Sequence, residues 1–170
     1  MSILKQMENS PSYLKAGFLG FNKSGKTFTS TLLAIATRKA MRMNGPVAFF
    51  DTETGSDYVS AAVKRFTGKP MVGVKSRNFD DLLGFVNECV EIGASVAIVD
   101  SVTHLWRNVQ DSYLAGLNET RKKAAERKGW EHKPKTGLEF QDWGPVKARW
   151  NQWTELYLTS PLNIIICGRA

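Results

Sequence analysis

The chain has 170 residues, 42% of them hydrophobic, which suits one globular domain with a sizeable core. Lysine and arginine together number 23 and aspartate and glutamate 16, so the formal net charge is +7. This charge favours a polyanionic partner, although many soluble proteins carry a similar one. No apolar run is long enough to cross a bilayer, and residues 1–15 lack the apolar core of a signal peptide, so we expect a cytoplasmic protein without a membrane span.

The two cysteines are predicted to be structural. Cys89 lies in a predicted helix and Cys167 in a predicted buried strand, and neither belongs to a metal-ligand pattern. We therefore expect both to be reduced thiols packed in the core of a cytosolic protein.

The first predicted strand leads into a glycine-rich loop. Residues 20–27 read GFNKSGKT, a full match to the phosphate-loop pattern G-x-x-x-x-G-K-[ST]. The apolar stretch 16–19 predicts a strand that enters the loop, and the spacing of apolar residues over 29–43 predicts a helix that leaves it. A phosphate bound by the loop would therefore meet a helix N-terminus, where unpaired N–H groups and the helix dipole favour an anion.

Each fixed position of this pattern has a chemical role toward a nucleoside triphosphate. Gly20 and Gly25 let the backbone curl until successive N–H groups point at the β-phosphate. Lys26 is predicted to reach the β- and γ-phosphates, and the Thr27 hydroxyl is predicted to ligate Mg²⁺. We therefore expect ATP and Mg²⁺ to bind, with nucleotide contacts from Gly20, Phe21, Asn22, Lys23, Ser24, Gly25, Lys26, Thr27 and Phe28.

Downstream of the loop, short apolar strands alternate with helical patterns. This alternation indicates the α/β class, with a mostly parallel sheet flanked by helices. We expect one domain over residues 1–170, and because the chain stops directly after the last predicted strand, we expect this domain to lack its C-terminal part. Strands are predicted over 47–50, 71–74, 96–99 and 162–167, and helices over 58–66, 79–92, 111–128 and from 145 onwards, the last with Asp142 as its cap.

Segment 106–138 departs from the alternation as a basic helix-loop insertion. It contains NETRKKAAERKGWEHKPKTG, in which Gly129, Pro134 and Gly137 are helix breakers. We expect a helix over about 111–128 to be followed by a mobile loop.

Two acidic positions that follow predicted strands suit a nucleotide site. VAIVDS ends a strand in Asp100, which is the Walker B pattern whose carboxylate holds the Mg²⁺ shell, with a helix cap as the alternative. Hydrolysis also needs a group that orients or deprotonates water. Glu53 is the candidate for this role, because the DTE sequence follows a predicted buried strand and is expected at the same edge of the sheet as the phosphate loop. Asp51 competes for this role, and a capping role for either carboxylate stays open.

The order of these motifs resembles the RecA-like ATPase core. The chain shares its phosphate loop, a strand ending in DTETGSD, the VAIVDS strand and a last apolar strand that ends in a polar residue. DTETGS, VDSVTHLW and SPLNIIICGRA are also similar to phage-encoded RecA-like ATPases, described as AAA-family or nucleotide-binding phage proteins, some of them associated with single-strand annealing and recombination. The resemblance runs from about Lys15 to Ala170, and DTE-T-GS with DS-x-T-H-x-W is more specific than the generic phosphate loop.

This resemblance implies a sheet order and further site residues. The last strand would lie between the phosphate-loop strand and the Walker B strand, and Arg169 at its tip would reach the γ-phosphate. RecA proteins carry a glutamine there, so the arginine departs from the family and implies a direct charge contact; an exposed terminal arginine is the alternative. The family's catalytic glutamate falls on Glu53, and Asp57 aligns with a position that contacts the adenine edge.

The resemblance also implies partners beyond the nucleotide. In RecA-like proteins the segment between the Walker B strand and the last strand carries loops that face DNA, so its basic residues would make salt-dependent contacts with the phosphates of single-stranded DNA. A solvated helix face is the alternative. A homo-oligomer in the cytosol of a phage-infected or prokaryotic host is expected. The candidate DNA-contacting residues are Arg121, Lys122, Lys123, Arg127 and Lys128.

Several other polar and aromatic residues are interpreted as packing groups. Trp150 and Trp153 lie three residues apart on one predicted helix face, so we expect core packing, although these residues and Trp143 could also stack on bases. His104 and Trp106 follow the Walker B strand, and His104 belongs to no metal-ligand spacing. We expect packing or hydrogen bonding behind the site for both.

Three functions are consistent with these patterns. The leading hypothesis is a Mg²⁺-dependent ATPase that acts on or near single-stranded DNA in phage recombination or replication. The alternative is a nucleotide-gated binding module with little or no hydrolysis. A small-molecule kinase would have the same phosphate loop, but the DTE sequence and the lack of an arginine-rich lid after Asp100 disfavour it.

Overall fold

Strands and helices alternate along residues 12–170, the part of the chain that the computed structural model describes. The strands are β1 (Lys15–Gly20), β2 (Val47–Asp51), β3 (Val72–Lys75), β4 (Val96–Asp100) and β5 (Asn163–Arg169). The helices are α1 (Lys26–Ala40), α2 (Gly55–Thr67), α3 (Phe79–Glu91), α4 (Val102–Lys128) and α5 (Trp143–Thr159), with a 3-10 turn over Phe140–Asp142. Residues 1–11, in which the sequence predicts no signal-peptide core, lie outside the described residues. Within residues 12–170, no helix is both long and apolar enough to span a membrane.

The strands of the described chain form one five-stranded parallel sheet in the order β1-β5-β4-β2-β3. This arrangement confirms the predicted α/β class with a parallel sheet flanked by helices. The position of β5 between β1 and β4 agrees with the order that the family resemblance implied.

Helices cover both faces of the sheet and bury its central strands. Every residue of β2 and β4 is buried, as expected for the continuous apolar runs VAFF and VAIV in a parallel sheet. On one face α1 and α2 pack over Phe49 and Ile98, and on the other α3, α4 and α5 pack over Phe50 and Val99. The rings of Phe50 and Phe85 meet edge to face with centroids 5.4 Å apart.

Both cysteines lie in this core as free thiols, which confirms their predicted packing role. Burial raises the pKa of the Cys89 and Cys167 thiols to about 12. Both therefore stay protonated at neutral pH, and protonated thiols are poor nucleophiles and metal ligands.

The tryptophans pack against one another between α4 and α5. Trp153 is buried and its ring lies 5.6 Å from that of Tyr157. Trp106 meets Trp150 at 5.1 Å and Trp143 at 6.3 Å between ring centroids. The packing interpretation is confirmed for Trp106, Trp150 and Trp153, and Trp143 belongs to the same cluster.

Helix α4 begins at Val102, so the predicted start near residue 111 is wrong. Its first turns bury Leu105 and Val109 in the core, whereas the residues around them are mostly polar or partly exposed. Two apolar contacts over two turns are too weak a pattern to reveal a helix in the sequence, but the sheet beneath them supplies the packing that stabilises it.

The loop after α4 has one residue, Lys135, that is held by hydrogen bonds and ion pairs, and the predicted mobility of the loop stays a prediction. The Asn118 side chain exchanges two hydrogen bonds with the backbone of Lys135, at 2.7 and 2.9 Å. Lys135 Nζ pairs with Asp142 at 2.6 Å and Glu139 at 3.1 Å, and its side chain is 7% exposed. Asp142 is the N-cap residue of α5, as predicted, but its side chain makes no capping hydrogen bond to α5 and instead accepts the Glu139 N–H and a bond from the Lys135 ammonium.

Candidate functional site

The glycine-rich loop connects β1 to α1, as the sequence predicts. Gly25 has a φ of +83°, a left-handed conformation that favours glycine, and α1 begins at the next residue. Lys26 Nζ reaches back across the loop and donates hydrogen bonds to the carbonyl oxygens of Gly20 (2.9 Å) and Phe21 (2.7 Å). The lysine ammonium and the unpaired N–H groups of the first helical turn thus lie at the same end of the sheet, an arrangement suited to a phosphate.

The Thr27 hydroxyl donates a hydrogen bond to Asp100 Oδ2 at the end of β4. Burial raises the pKa of the Asp100 carboxyl; the Thr27 hydrogen bond opposes this shift and the Glu53 charge adds to it. A hydroxyl and a carboxylate oxygen in contact suit Mg²⁺, which takes few protein ligands and completes its shell with water and phosphate oxygens. Among residues 12–170, no group of three or more His, Cys, Asp or Glu side chains could hold a metal ion. Phosphate oxygens and water would therefore have to complete the shell here.

The two candidate carboxylates after β2 have different surroundings. Asp51 is 2% exposed; its Oδ1 accepts the Glu53 N–H at 2.9 Å and its Oδ2 accepts the Ser56 N–H at 2.9 Å and the Ser56 hydroxyl. Asp51 thus organises the turn into α2 through the three hydrogen bonds that it accepts. The Glu53 side chain, by contrast, is 34% exposed and lies in the cleft beside Lys26 and Asp100. The geometry therefore gives Asp51 a structural task and leaves Glu53 accessible to a ligand or water.

Arg169 and Glu53 form an ion pair at this edge of the sheet. Arg169 Nη2 lies 2.6 Å from Glu53 Oε1. Strand β5 brings Arg169 beside Gly20, its register partner in β1, and the Arg169 backbone N–H donates to Thr103 Oγ1 at 2.9 Å. The two residues that the sequence predicts to act on a phosphoryl group thus contact each other directly.

A second layer of hydrogen bonds lies behind Glu53. Thr52 is 3% exposed, and its hydroxyl lies 2.8 Å from His104 Nδ1, 3.1 Å from the Asp100 carbonyl oxygen and 2.8 Å from the Ser101 N–H. His104 Nδ1 is also 3.7 Å from Glu53 Oε1. The expectation that His104 makes hydrogen bonds behind the site is confirmed.

The predicted groups converge on one open cleft of about 510 Å³, a size typical of ligand pockets. A larger groove of about 630 Å³ lies between β3 and α3. That groove is lined by none of the phosphate-loop or acidic candidates among the described residues, so we take the smaller cleft as the site. The predicted residues that line the cleft are Asn22, Lys23, Ser24, Gly25, Lys26, Thr27, Phe28, Glu53, Asp100 and Arg169.

Asp57 lies apart from these groups. Its carboxylate forms an ion pair with Lys75 at 2.7 Å, and both side chains are more than half exposed. The neighbouring Tyr58, which the sequence analysis did not single out, lines the cleft and is 85% exposed. In this arrangement the cleft has Tyr58 rather than Asp57 at its rim.

The basic candidates lie on the distal half of α4, where the helix is mostly exposed. Lys123 pairs with Glu119 at 2.7 Å and Lys122 with Glu126 at 4.0 Å, so part of their charge is neutralised on the helix itself. Lys128 Nζ lies 4.5 Å from the centre of the Trp130 ring. The structure therefore separates the basic segment from the cleft and leaves both the DNA-contact and the solvated-face interpretations open.

Sequence reasoning missed the residues that support the cleft. Thr52 and Ser56 belong to the DTETGS motif, but their spacing does not predict the hydrogen bonds that Thr52 makes with His104 and Ser56 with Asp51. Gly55 had a weak signal as a glycine in a predicted loop. A Cβ there would lie 2.9 Å from Thr27 Cγ2 and 3.7 Å from Asp100 Oδ2, so glycine permits the close approach of α2 to the phosphate loop.

Chemically, the cleft combines three cations, a partly exposed carboxylate and a hydroxyl–carboxylate pair around a helix N-terminus. Such a set can bind a phosphate chain, hold a hard cation and orient water. A comparison with protein-family models finds no match, and a comparison with curated proteins finds none either.

The buried Thr52 hydroxyl generates a prediction about stability. Thr52→Val removes the hydroxyl at nearly constant volume and leaves the Ser101 N–H and His104 Nδ1 without it, so the free energy of unfolding should fall by about 1–3 kcal/mol. Thr52→Ser keeps the hydroxyl and should lose only about 1 kcal/mol for the missing methyl group. Urea denaturation of both variants measures the difference, and a valine variant as stable as the serine variant would contradict the assigned bonds.

Proposed function

We propose that this protein is a RecA-like ATPase that binds and hydrolyses Mg-ATP. The observation that carries the proposal is the convergence of Lys26, Thr27, Glu53, Asp100 and Arg169 on one cleft at the N-terminus of α1. These residues come from four different strand ends, and chance would not be expected to bring a phosphate-loop lysine, a metal-binding pair and an exposed carboxylate together. The family resemblance of the motifs supports ATP as the nucleotide.

Each group has a role in the proposed reaction. Lys26 leaves its two carbonyl partners to bind β- and γ-phosphate oxygens, and Thr27 and Asp100 hold Mg²⁺, which supplies positive charge at the same oxygens. Glu53 accepts a proton from water as the water oxygen attacks the γ-phosphorus and the bond to the β-phosphate oxygen breaks. Arg169 stabilises the charge that develops on the transferred phosphoryl group.

A nucleotide-gated binding module with slow hydrolysis is the second candidate. The observation that favours it is the 2.6 Å ion pair between Arg169 and Glu53. In this pair the proposed base and the proposed cation bind each other rather than water or a phosphate. In a binding module the Arg169–Glu53 ion pair would persist when ATP is bound. ATP binding would then change the conformation of the protein without ATP being hydrolysed. Multiple-turnover ATP hydrolysis, with and without single-stranded DNA, separates the two functions.

We further propose that the partner is single-stranded DNA, contacted through Arg121, Lys122, Lys123, Arg127 and Lys128. What supports this is the exposed, basic distal half of α4 together with the family resemblance. Phage recombination or replication, a cytosolic location and a homo-oligomer are proposed on the same resemblance.

Lys26→Ala is expected to abolish nucleotide binding or hydrolysis while the protein stays folded, because Lys26 Nζ contributes charge and contacts loop carbonyls rather than the core. Lys39→Ala, at the exposed far end of the same helix, removes an equal charge and serves as the control. Titration with a fluorescent ATP analogue, together with steady-state turnover, measures both steps. A folded Lys26→Ala protein with normal ATP affinity and turnover would refute the phosphate-loop assignment.

Glu53→Gln is expected to retain Mg-ATP binding and to lose turnover by a factor of roughly 10² to 10⁴, because it removes only the proton-accepting charge of an accessible side chain. Asp51→Asn is the matched variant two residues away, and its main expected effect is on stability, because Asp51 holds the turn into α2. Single-turnover hydrolysis and urea denaturation of both variants test the assignment. If Asp51→Asn is stable and inactive while Glu53→Gln is active, the roles of the two carboxylates are reversed.

Replacing Lys122, Lys123 and Lys128 with alanine should flatten the log–log salt dependence of single-stranded DNA binding by up to about two units, at about 0.7 per phosphate contact. Affinity should fall similarly for unrelated sequences, because phosphate contacts carry no sequence information. The control replaces Lys39, Lys64 and Lys69, three exposed lysines of α1 and of α2 and its end, on the opposite face of the sheet. Equal salt slopes for the parent and both triple variants would leave α4 as a solvated face.

A further inference from the structure

His104 is a partly buried, hydrogen-bonded side chain next to the cleft that the proposed reaction does not use. It lies in the first turn of α4, and its side chain is 14% exposed. Its Nδ1 atom faces two acceptors, Thr52 Oγ1 at 2.8 Å and Glu53 Oε1 at 3.7 Å. A ring in this position can influence how the Glu53 carboxylate is oriented.

The neighbours of Nδ1 favour one tautomer of the His104 ring. The Thr52 hydroxyl has one proton, and the Asp100 carbonyl oxygen, 3.1 Å away, can only accept it. The Ser101 N–H, at 2.8 Å, can only donate. Nδ1 of His104 also faces the Glu53 carboxylate oxygen, which favours a proton rather than a lone pair on Nδ1, so Nδ1 donates to Thr52 Oγ1 and the hydroxyl proton goes to the carbonyl.

Burial, assisted by nearby arginines, favours the uncharged form of the ring at neutral pH. Burial lowers the pKa of His104; Glu53 opposes this shift, and Arg169, Arg77 and Arg107 add to it. His104 is therefore a neutral imidazole whose Nδ1–H points towards the acceptors near Glu53. It offers a hydrogen-bond donor without adding a charge to the cleft.

Glu53 Oε1 has a stronger partner than His104 in this structure. Arg169 holds the same oxygen at 2.6 Å, whereas Nδ1 is 3.7 Å away. In the proposed reaction the guanidinium of Arg169 is drawn to the γ-phosphate, which weakens its pairing with the carboxylate. Glu53 then needs another donor to stay oriented, since a free glutamate side chain rotates among several rotamers.

We propose that His104 is a positioning residue. When ATP draws Arg169 away from Glu53, His104 donates the hydrogen bond that keeps the Glu53 carboxylate oriented. A shift of about 1 Å brings Oε1 within hydrogen-bond distance of Nδ1, whose proton is then shared between Oε1 and Thr52 Oγ1. Oε2 remains free to accept the proton of the attacking water. This inference rests on the proposed ATPase function, and it makes the orientation of the base depend on a residue of α4.

Two amide variants test the position of the donor. His104→Asn places an amide N–H near the Nδ1 position, whereas His104→Gln carries the same group one carbon further, near the Nε2 position. His104→Asn should keep kcat within a few-fold of the wild type, and His104→Gln should lower kcat roughly ten- to hundredfold, the effect of misplacing a reacting group by about 1 Å. KM and the affinity for an ATP analogue should stay unchanged in both, because His104 does not face the phosphate loop.

A double-variant cycle separates positioning from a structural effect. If His104 acts through Glu53, His104→Gln should have no further effect on the residual turnover of Glu53→Gln. Equal kcat values for the asparagine and glutamine variants, or an undiminished effect of His104→Gln in the Glu53→Gln background, would overturn the inference. Circular dichroism of each variant verifies folding.

The outcome distinguishes this inference from the proposed function. A wild-type protein that does not turn over ATP overturns both. Turnover that depends on Glu53 but is the same in all His104 variants overturns only the role of His104.

Discussion

The parallel register of β1, β5, β4 and β2 aligns the carboxyl ends of four strands, and every group of the candidate site depends on that alignment. Gly20 is paired with Arg169, and Asp51 with Asp100. The same backbone hydrogen bonds that stabilise the core therefore set the distances in the cleft. A slip of one residue in β5 would turn Arg169 to the opposite face of the sheet and remove it from Glu53.

Charge in the cleft is balanced between neighbours of opposite sign. Arg169 faces Glu53, while Lys26 lies close enough to lower the pKa of Asp100 against the effect of burial. In the proposed function, a triphosphate would add negative charge beside two carboxylates, and Lys26, Arg169 and a metal ion held by Thr27 and Asp100 would offset that charge. Ligand binding and rearrangement of these ion pairs are consequently linked.

Helix α4 joins two regions that the sequence presents separately. His104 in its first turn contacts the groups behind Glu53, and the basic residues lie near its far end, in one continuous helix of 27 residues, roughly 40 Å long. The Asn118 hydrogen bonds hold Lys135 of the following loop against this helix, and the Lys135 ion pairs connect that loop to Glu139 and Asp142. The basic segment and the His104 contacts behind Glu53 therefore belong to one helix, although no residue of α4 lines the cleft itself.

Local patterns in the sequence were enough to predict the strands, the phosphate loop and the acids at the strand ends, because apolar runs and glycine spacing act over a few residues. They favoured Glu53 but left Asp51 as a competitor, since the difference is that Asp51 is buried and hydrogen-bonded to Ser56 whereas Glu53 is partly exposed in the cleft. They could not predict that His104 would meet Thr52, 52 positions away in the chain. Contacts of that separation arise only when the parallel sheet brings distant strand ends together, so tertiary structure alone decided the surroundings of each site residue.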